Sequence, residues 1–211
     1  MTDDLREFTE TIEAHAARYG VRLDTRTLER LGVYYEQLSK WNARLHLVAP
    51  CSPAEFATRH VLESLTATDY IPEGARVCDV GSGGGLPIIP CLVARADVLR
   101  ATLVEASLKK AVFLREVLSR LGLQDKAVVL AERFERARAP EADVLTCRAL
   151  ERFTEMYVQL VAWSPPGSRL LLFGGTALGE LIEGDRTVQM HAAVKMPDSE
   201  QRFLFVVERG G

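Results

Sequence analysis

The 211-residue sequence has few cysteines, no long apolar run and little net charge, and each absence excludes a class of protein. The cysteines at positions 51, 78, 91 and 147 are dispersed and form no C-x-x-C pair, which argues against a zinc site and against a disulfide framework. No run of about eighteen apolar residues occurs, so no membrane-spanning helix is predicted. The N-terminus, MTDDLREFTE, is acidic and polar where a signal peptide is basic and then apolar. We therefore expect a cytoplasmic protein with reduced thiols and no metal.

The charge is weak evidence about partners. A formal net charge of -3 and a pI near 5.9 are not typical of nucleic-acid-binding domains, which usually carry a basic surface. Residues 73–150 are slightly basic, with 12 Lys and Arg against 10 Asp and Glu. Such an excess is as typical of solvated helix faces as of a binding patch. Of the 4 histidines, His60 alone lies in a suggestive motif.

Hydrophobic periodicity divides the chain into a helical part and an alternating part. In residues 1–72 apolar residues recur at helical spacing, Gly20 separates the first two helices, and a third is predicted to begin with a cap at Ser52. From Ala75 onward, short apolar runs alternate with amphipathic segments, which predicts an α/β fold with a doubly wound, mostly parallel sheet. We expect an N-terminal helical extension, residues 1–72, packed on a domain formed by residues 73–211.

Individual elements of the second part follow from the same pattern. Strands are predicted at residues 75–80, 99–106, 126–132, 142–149, 167–175 and 202–209, with a less distinct one near 187–196. Helices are predicted at residues 86–96, 107–123 and 153–163, and SPPG at 164–167 predicts a turn.

The stretch CDVGSGGGLPI, residues 78–88, joins a predicted strand to a predicted helix. Backbone N–H groups at such a turn meet a polar or anionic ligand without side-chain obstruction. The dinucleotide frame G-x-G-x-x-G fails because its third glycine position falls on Leu86, and no P-loop G-K-[ST] follows. The glycines fit D-x-G-x-G-x-G, with Asp79, Gly81, Gly83 and Gly85, which is typical of S-adenosylmethionine methyltransferases. A tight turn without a ligand is the alternative for the glycines alone.

Glu105 lies 24 positions after Gly81, at the predicted carboxyl end of the next strand. A carboxylate there accepts hydrogen bonds from both ribose hydroxyls of an adenosine. Dehydrogenases share this feature, so Glu105 indicates a nucleoside-bearing cofactor without deciding which one. A solvent-exposed acid at a strand end is the alternative.

Further motifs resemble one family over nearly the whole chain. They are KWNARLHLV, RHVLESL, DVGSGGGLP, EASLKKAVFLREV, ERFE and TCRAL. The Arg59-His60 and Glu63-Ser64 pairs ahead of the glycines, and Lys109-Lys110 behind them, are more particular than the glycine stretch, which many methyltransferases share. The sequence resembles the bacterial glucose-inhibited division protein B group (RsmG), methyltransferases of small-subunit ribosomal RNA. The resemblance implies a seven-stranded, Rossmann-like fold of class I S-adenosylmethionine-dependent methyltransferases.

The resemblance also implies an activity and a set of site residues. The family transfers a methyl group from S-adenosyl-L-methionine to N7 of a guanine in 16S ribosomal RNA, so the expected partner is that RNA or the small ribosomal subunit, and a monomeric enzyme is expected. With the glycine pattern, it implies cofactor contacts at Asp79, Gly81, Ser82, Gly83, Gly85, Leu86, Glu105, Ala106, Ser107, Phe134, Glu135 and Arg148. Arg148 is also the expected catalytic residue, and RNA contacts are expected at Arg59, His60, Lys109, Lys110 and Arg133.

The chain departs from the family's usual pattern at four places. His46-Leu47-Val48 stands for Asn-Leu-Thr, Glu63 for Asp and Ile88 for Gly. In the fifth strand, Gly174-Gly175 stands where a Lys-Gly pair is usual, which removes an ammonium group.

Several alternatives stay open. Cys147 lies at the end of the predicted fourth strand and is a possible nucleophile for carbon-5 methylation of a pyrimidine, although a buried strand cysteine is commoner. Another RNA position, a small-molecule substrate and a non-catalytic cofactor-binding scaffold associated with ribosomes also fit the motifs. Arg148 can instead form a structural salt bridge to Asp79 or Glu105, and Asp79 can support the loop without touching a ligand.

Overall fold

The computed structural model describes residues 2–95, 99–148 and 153–210. Its strands are β1 (Arg76–Val80), β2 (Arg100–Val104), β3 (Ala127–Leu130), β4 (Val144–Arg148), β5 (Arg169–Gly174), β6 (Val188–Lys195) and β7 (Phe203–Arg209). They form a seven-stranded sheet in the order β3-β2-β1-β4-β5-β7-β6. Strands β1 to β5 pair in parallel, and β7 runs antiparallel to both β5 and β6.

The α-helices are α1 (Asp3–His15), α2 (Thr25–Leu45), α3 (Pro53–Glu55), α4 (Glu63–Leu65), α5 (Ile88–Ala94), α6 (Leu108–Arg120), α7 (Phe153–Trp163) and α8 (Thr176–Gly184). Short 3₁₀ segments cover Ala16–Tyr19 and Thr66–Tyr70, and a π-helix covers Phe56–Leu62. No helix among the described residues is long and apolar enough to cross a membrane.

Helices cover both faces of the sheet, which confirms the predicted doubly wound fold. Successive strand residues point to opposite faces, so Val77 joins the hydrophobic cluster that contains α1, α2, α5 and α6, while its neighbour Cys78 joins the cluster with α7 and α8. Leu103 and Val104 divide in the same way. Burial on both faces explains why apolar residues occupy successive positions in these strands.

The N-terminal helices share the first of these clusters with the sheet. Phe8 of α1 is fully buried and stacks on Tyr35 of α2, with 4.5 Å between the ring centroids, while Phe56 packs at a tilt against both rings. The hydroxyl of Tyr34 donates a 2.7 Å hydrogen bond to the carbonyl of Gly84 in the glycine turn. The helices therefore contact the segment that was predicted to bind a ligand.

The predicted third helix exists but changes its hydrogen-bond pattern. Ser52 caps it as expected, because its hydroxyl accepts the N–H of Glu55 at 3.1 Å. Further along, the N–H of Glu63 bonds to the carbonyl of Thr58, five residues back, as in a π-helix. This widening, which the periodicity does not predict, directs the N–H of Glu63 away from the carbonyl of Arg59, which would accept it in an α-helix.

Other elements agree with the sequence or extend it. The less distinct strand near 187–196 is confirmed as β6, and SPPG forms the expected turn, where the N–H of Ser168 donates to the carbonyl of Pro165. Helix α8 was not predicted. Ala149, at the end of the predicted fourth strand, and Ala96, at the end of the helix that follows the glycines, lie outside the described residues.

The shared core predicts the outcome of a core substitution. Phe8→Ala removes a fully buried ring from the cluster that joins α1 and α2 to the sheet, so the free energy of unfolding should fall by about 3–5 kcal/mol. Urea denaturation followed by both far-UV circular dichroism and tryptophan fluorescence should show one shared transition. Val158→Ala, at a 66% exposed position, should change the free energy by less than about 0.5 kcal/mol. Separate transitions for the two probes would contradict a single cooperative unit.

Candidate active site

A cavity of about 670 Å³ opens at the carboxyl ends of β1, β2 and β4. In the sheet, β2 and β3 lie on one side of β1, whereas β4 and β5 lie on its other side. The order in which strands are added therefore reverses between β1 and β4. Ligands of open α/β sheets bind in the crevice at such a switch point. The predicted residues that line the cavity are Gly81, Ser82, Gly83, Leu86, Glu105, Ala106, Ser107, Phe134, Glu135 and Arg148, together with His60, Lys110 and Arg133.

The glycine turn needs glycine at the positions that the pattern marks. Gly81, Gly83 and Gly85 have positive φ angles of 71°, 51° and 85°, in the region that side chains with a Cβ rarely adopt. The N–H groups of Gly81 and Ser82 donate to the carbonyl of Val104, at 2.9 and 3.2 Å, and fasten the turn to the end of β2. The turn thus forms a floor of backbone at the cavity.

Glu105 connects this turn to the next loop. Its carboxylate is 7% exposed, and it accepts the N–H of Gly83 on Oε2 and the N–H of Ser107 on Oε1, both at 2.7 Å. Hydrogen bonds of backbone N–H groups to a carboxylate are stronger than neutral ones. Because Glu105 also lines the cavity, its remaining lone pairs can accept hydrogen bonds from a ligand.

Asp79 differs from the expectation of a cofactor contact, because it lies beneath the turn and not on the cavity wall. It is fully buried, and its Oδ1 accepts a 2.6 Å hydrogen bond from the hydroxyl of Thr146, while Oδ2 has no hydrogen-bond partner. Burial raises the pKa of Asp79 to about 7, against the hydrogen bond from Thr146. This geometry agrees with the alternative in which Asp79 supports the glycine turn without touching a ligand.

Gly85 is likewise absent from the described cavity wall and has a packing role. A Cβ at this position would overlap the side chain of Ile89 in α5, in addition to the strain of its φ angle. Glycine therefore lets the first turn of α5 close against the loop.

Arg148 lies on the cavity wall at the end of β4. Its ion-pair partner is neither of the two carboxylates that were named for a structural alternative. It pairs with Glu63 at 3.1 Å, not with Asp79 or Glu105. It also donates to the carbonyl of Arg59 at 2.6 Å and to the hydroxyl of Ser64 at 3.3 Å. The carbonyl of Arg59 does not receive the N–H of Glu63 in the π-helix, and it accepts from the guanidinium of Arg148.

The five residues expected to contact RNA separate into two groups. Lys110 and Arg133 line the cavity, as does His60, while Arg59 and Lys109 are exposed outside it. Arg59 forms an exposed ion pair with Glu55 at 2.9 Å. A cationic patch at the opening therefore includes Lys110 and Arg133 but not the whole set.

His60 is uncharged at neutral pH. Burial lowers its pKa to about 3, and the charges of Arg148, Arg59 and Arg202 act in the same direction. Its ring packs on Phe56, with 5.2 Å between centroids, and its Nδ1 has no hydrogen-bond partner. His60 can therefore contact a ligand through hydrogen bonds or ring packing, and not as a cation that holds a phosphate.

One wall of the cavity was not predicted as part of the site. Leu47, Val48 and Ala49 line it after the end of α2. Asn42 fixes this segment, because its side-chain amide donates to the carbonyl of Val48 and accepts the N–H of the same residue, at 3.1 and 3.0 Å. Asn42, Leu47 and Val48 belong to the motif KWNARLHLV, which the resemblance marked without assigning it a role.

The structure also bears on the metal question and on the glycine that replaces the family's usual lysine. Within residues 2–95, 99–148 and 153–210, no cluster of three His, Cys, Asp or Glu side chains is placed to hold a metal ion. At Gly174 a Cβ would overlap the side chain of Leu178. The glycine that stands for the family's usual lysine is therefore packed against α8 and does not line the described cavity.

Comparison with known proteins decides the family. The model of the family described as rRNA small subunit methyltransferase G matches residues 27–202. The chain belongs to this family. A ribosomal RNA small subunit methyltransferase G of Gluconobacter oxydans is 36% identical over 80% of this chain and 86% of its own length. That of Sorangium cellulosum is 40% identical, over 79% of this chain and 72% of its own.

Solved structures support the fold of this rRNA small subunit methyltransferase G family member. An O-methyltransferase from Bacillus cereus, solved with S-adenosylhomocysteine, superposes with a TM-score of 0.61 over 98% of this chain and 100% of its own, at 18% identity. An RNA methyltransferase from Salinibacter ruber gives 0.55 over 77% of this chain and 94% of its own, also at 18% identity. At such identity the likeness shows the class I methyltransferase fold alone.

The buried carboxyl of Asp79 predicts a pH dependence of stability. Because burial raises its pKa to about 7, the folded state holds a proton that the unfolded chain releases near pH 4, so this group's contribution to stability falls as the pH rises between these values. Asp79→Asn removes that dependence. Relative to the wild type, its free energy of unfolding should rise by about 1.4 kcal/mol per pH unit between pH 5 and 7.

Urea denaturation at pH 5, 6, 7 and 8 measures this difference, with the exposed Asp125→Asn supplying the baseline. A difference between the Asp79 variant and the wild type that stays constant with pH would show that Asp79 is already ionised at pH 5.

Proposed function

We propose that the chain transfers a methyl group from S-adenosyl-L-methionine to N7 of a guanine in 16S ribosomal RNA of the small ribosomal subunit. The observation that supports it is the cavity floor formed by the glycine turn and the carboxylate of Glu105, in a chain of the rRNA small subunit methyltransferase G family. The relatives' names give the ribosomal RNA and the subunit, and the base and its atom are the finer part of the proposal.

The cavity fits the methyl donor. Its backbone floor from Gly81 to Leu86 accommodates the amino-acid end, and Glu105 has lone pairs free for the ribose hydroxyls. Phe134, 5% exposed and on the cavity wall, supplies an apolar surface for the adenine beside Glu135. The bound cofactor supplies an activated methyl group on a sulfonium, so the chain's own residues need to bind, align and exclude water.

Methylation at N7 suits a site without a general base. The N7 atom of guanine carries a free lone pair, so no proton has to be removed before it attacks. His60 is uncharged, and Arg148 is held on the wall as a donor that can orient the guanine O6 or a phosphate. The product base is positively charged. The acidic side chains of Glu132 and Glu135 on the cavity wall can stabilise this positive charge.

Binding of RNA is assigned to the rim of the cavity. Lys110 and Arg133 line it, and Arg59 and Lys109 are exposed outside it, so phosphates can be held at the opening while a base enters. The proposed enzyme is a monomer. We also assign residues 1–72 to the same catalytic unit, because Tyr34 and Glu63 contact the glycine turn and Arg148. The proposed enzyme acts in the cytoplasm, where ribosomes work. It needs no metal for activity.

The test is a map of N7-methylguanine in 16S RNA from cells with and without the gene. One N7-methylguanine should be lost on deletion and return with the wild-type gene. Glu105→Gln should fail to restore it, because the neutral amide loses charge-assisted hydrogen bonds at the cavity floor and weakens cofactor affinity by about 10-fold or more.

Glu141→Gln is the matched control. It also removes a carboxylate, paired with Arg76 at the opposite end of the strands, and should restore the modification.

An unchanged map after deletion would refute the proposed substrate. Binding of S-adenosylmethionine by calorimetry without any methyl transfer to 16S RNA or to the 30S subunit would favour the scaffold, and stabilisation by NAD alone would overturn the cofactor.

Carbon-5 methylation through Cys147 has a separate test. The residue is fully buried on β4 and lies outside the described cavity wall, which argues against a thiol that attacks a base. Cys147→Ala should keep kcat within about 3-fold of the wild type, because no covalent step depends on it. A loss of 100-fold or more in single-turnover methyl transfer, with an unchanged melting temperature, would restore the nucleophile hypothesis.

A further inference from the structure

A buried carboxylate stands behind Arg148. Glu63, at the end of the π-helix, is 1% exposed, and each of its oxygens accepts a hydrogen bond from a different arginine. Oε2 accepts from Nη2 of Arg148 at 3.1 Å, and Oε1 accepts from Nε of Arg202 at 2.8 Å. Arg202 immediately precedes β7, so the carboxylate joins three distant parts of the chain.

The surroundings restrict Arg148 to one orientation. The guanidinium donates to the carbonyl of Arg59 and to the hydroxyl of Ser64, and it lies 5.3 Å from the ring centroid of Phe173. A planar guanidinium with fixed partners on several sides loses its rotational freedom. Burial lowers the pKa of Arg148, and the charge of Glu63 opposes that shift.

Glu63 does not belong to the described cavity wall, whereas Arg148 does. Any effect of Glu63 on a reaction in the cavity therefore passes through the arginine. The π-helix also contacts the arginine, since the N–H of Glu63 bonds to Thr58 and the Arg59 carbonyl accepts from Arg148. The group contains two cations and one anion, so a single net positive charge is left at this side of the cavity.

We propose that Glu63 is a positioning residue that holds the Arg148 guanidinium against the cavity wall, and that Arg202 fixes Glu63 from the opposite side. This inference rests on the proposed function of Arg148. It adds that the orientation of the arginine is set by a carboxylate that no substrate touches.

Glu63→Gln and Glu63→Asp test the proposal in the full-length protein, with Glu141→Gln as the control carboxylate. The glutamine variant should lower kcat for methyl transfer by about 10-fold or more and change the cofactor Kd by less than about 3-fold. The aspartate variant keeps the charge and should recover part of kcat. Equal losses in both variants, or a loss no larger than that of Glu141→Gln, would overturn the proposal.

A second measurement does not depend on methyl transfer. In protein labelled with ¹⁵N-arginine, the side-chain Nε–H signal of Arg148, assigned with Arg148→Lys, should exchange with solvent about 10-fold faster in the glutamine variant. The half-exposed Arg202→Gln should give a smaller increase, and it supplies the test if the glutamine variant does not fold. Unchanged exchange in the folded variants would refute the positioning role. If the wild type transfers no methyl group but the exchange rates change as expected, the proposed function fails while the contact stands.

Discussion

The carboxylate of Glu105 is the contact on which the cavity depends. It accepts one backbone N–H from the glycine turn and one from the loop that starts α6, so two segments that are separate in the sequence share one acceptor. Without it, two partly buried backbone donors would lose their partner, and the link between the glycine turn and the loop before α6 would be lost. Asp79, beneath the same turn, works differently, since it supports the strand through Thr146 and keeps one oxygen unpaired.

The helices before the sheet complete the opposite wall. Tyr34 reaches the carbonyl of Gly84, Asn42 holds the Leu47–Ala49 segment, and Glu63 pairs with Arg148. These contacts come from α2 and from the irregular helix after it, both of which share a core with the sheet. The cavity is therefore formed jointly by the α/β sheet and its N-terminal helices.

The sequence predicts those parts of this structure that depend on local pattern. Alternating apolar runs located β1 to β5 and β7, and the glycine spacing located the turn, because both are set by neighbouring residues. It did not predict the π-helix, in which the carbonyl of Arg59 accepts a hydrogen bond from Arg148, 89 positions later in the chain. For Arg148 it offered Asp79 or Glu105 as alternative structural partners and missed Glu63, since nothing local to Glu63 shows that its side chain is buried toward β4.

The bond between Glu63 and Arg202 spans 139 positions of the chain. During synthesis, the carboxylate and its helix leave the ribosome long before the segment that brings this arginine. Until residue 202 has emerged, Glu63 lacks one of the two arginine partners that it has in the folded chain. The wall of the cavity thus reaches its final electrostatic balance late in translation, after the strands that form its floor have been made.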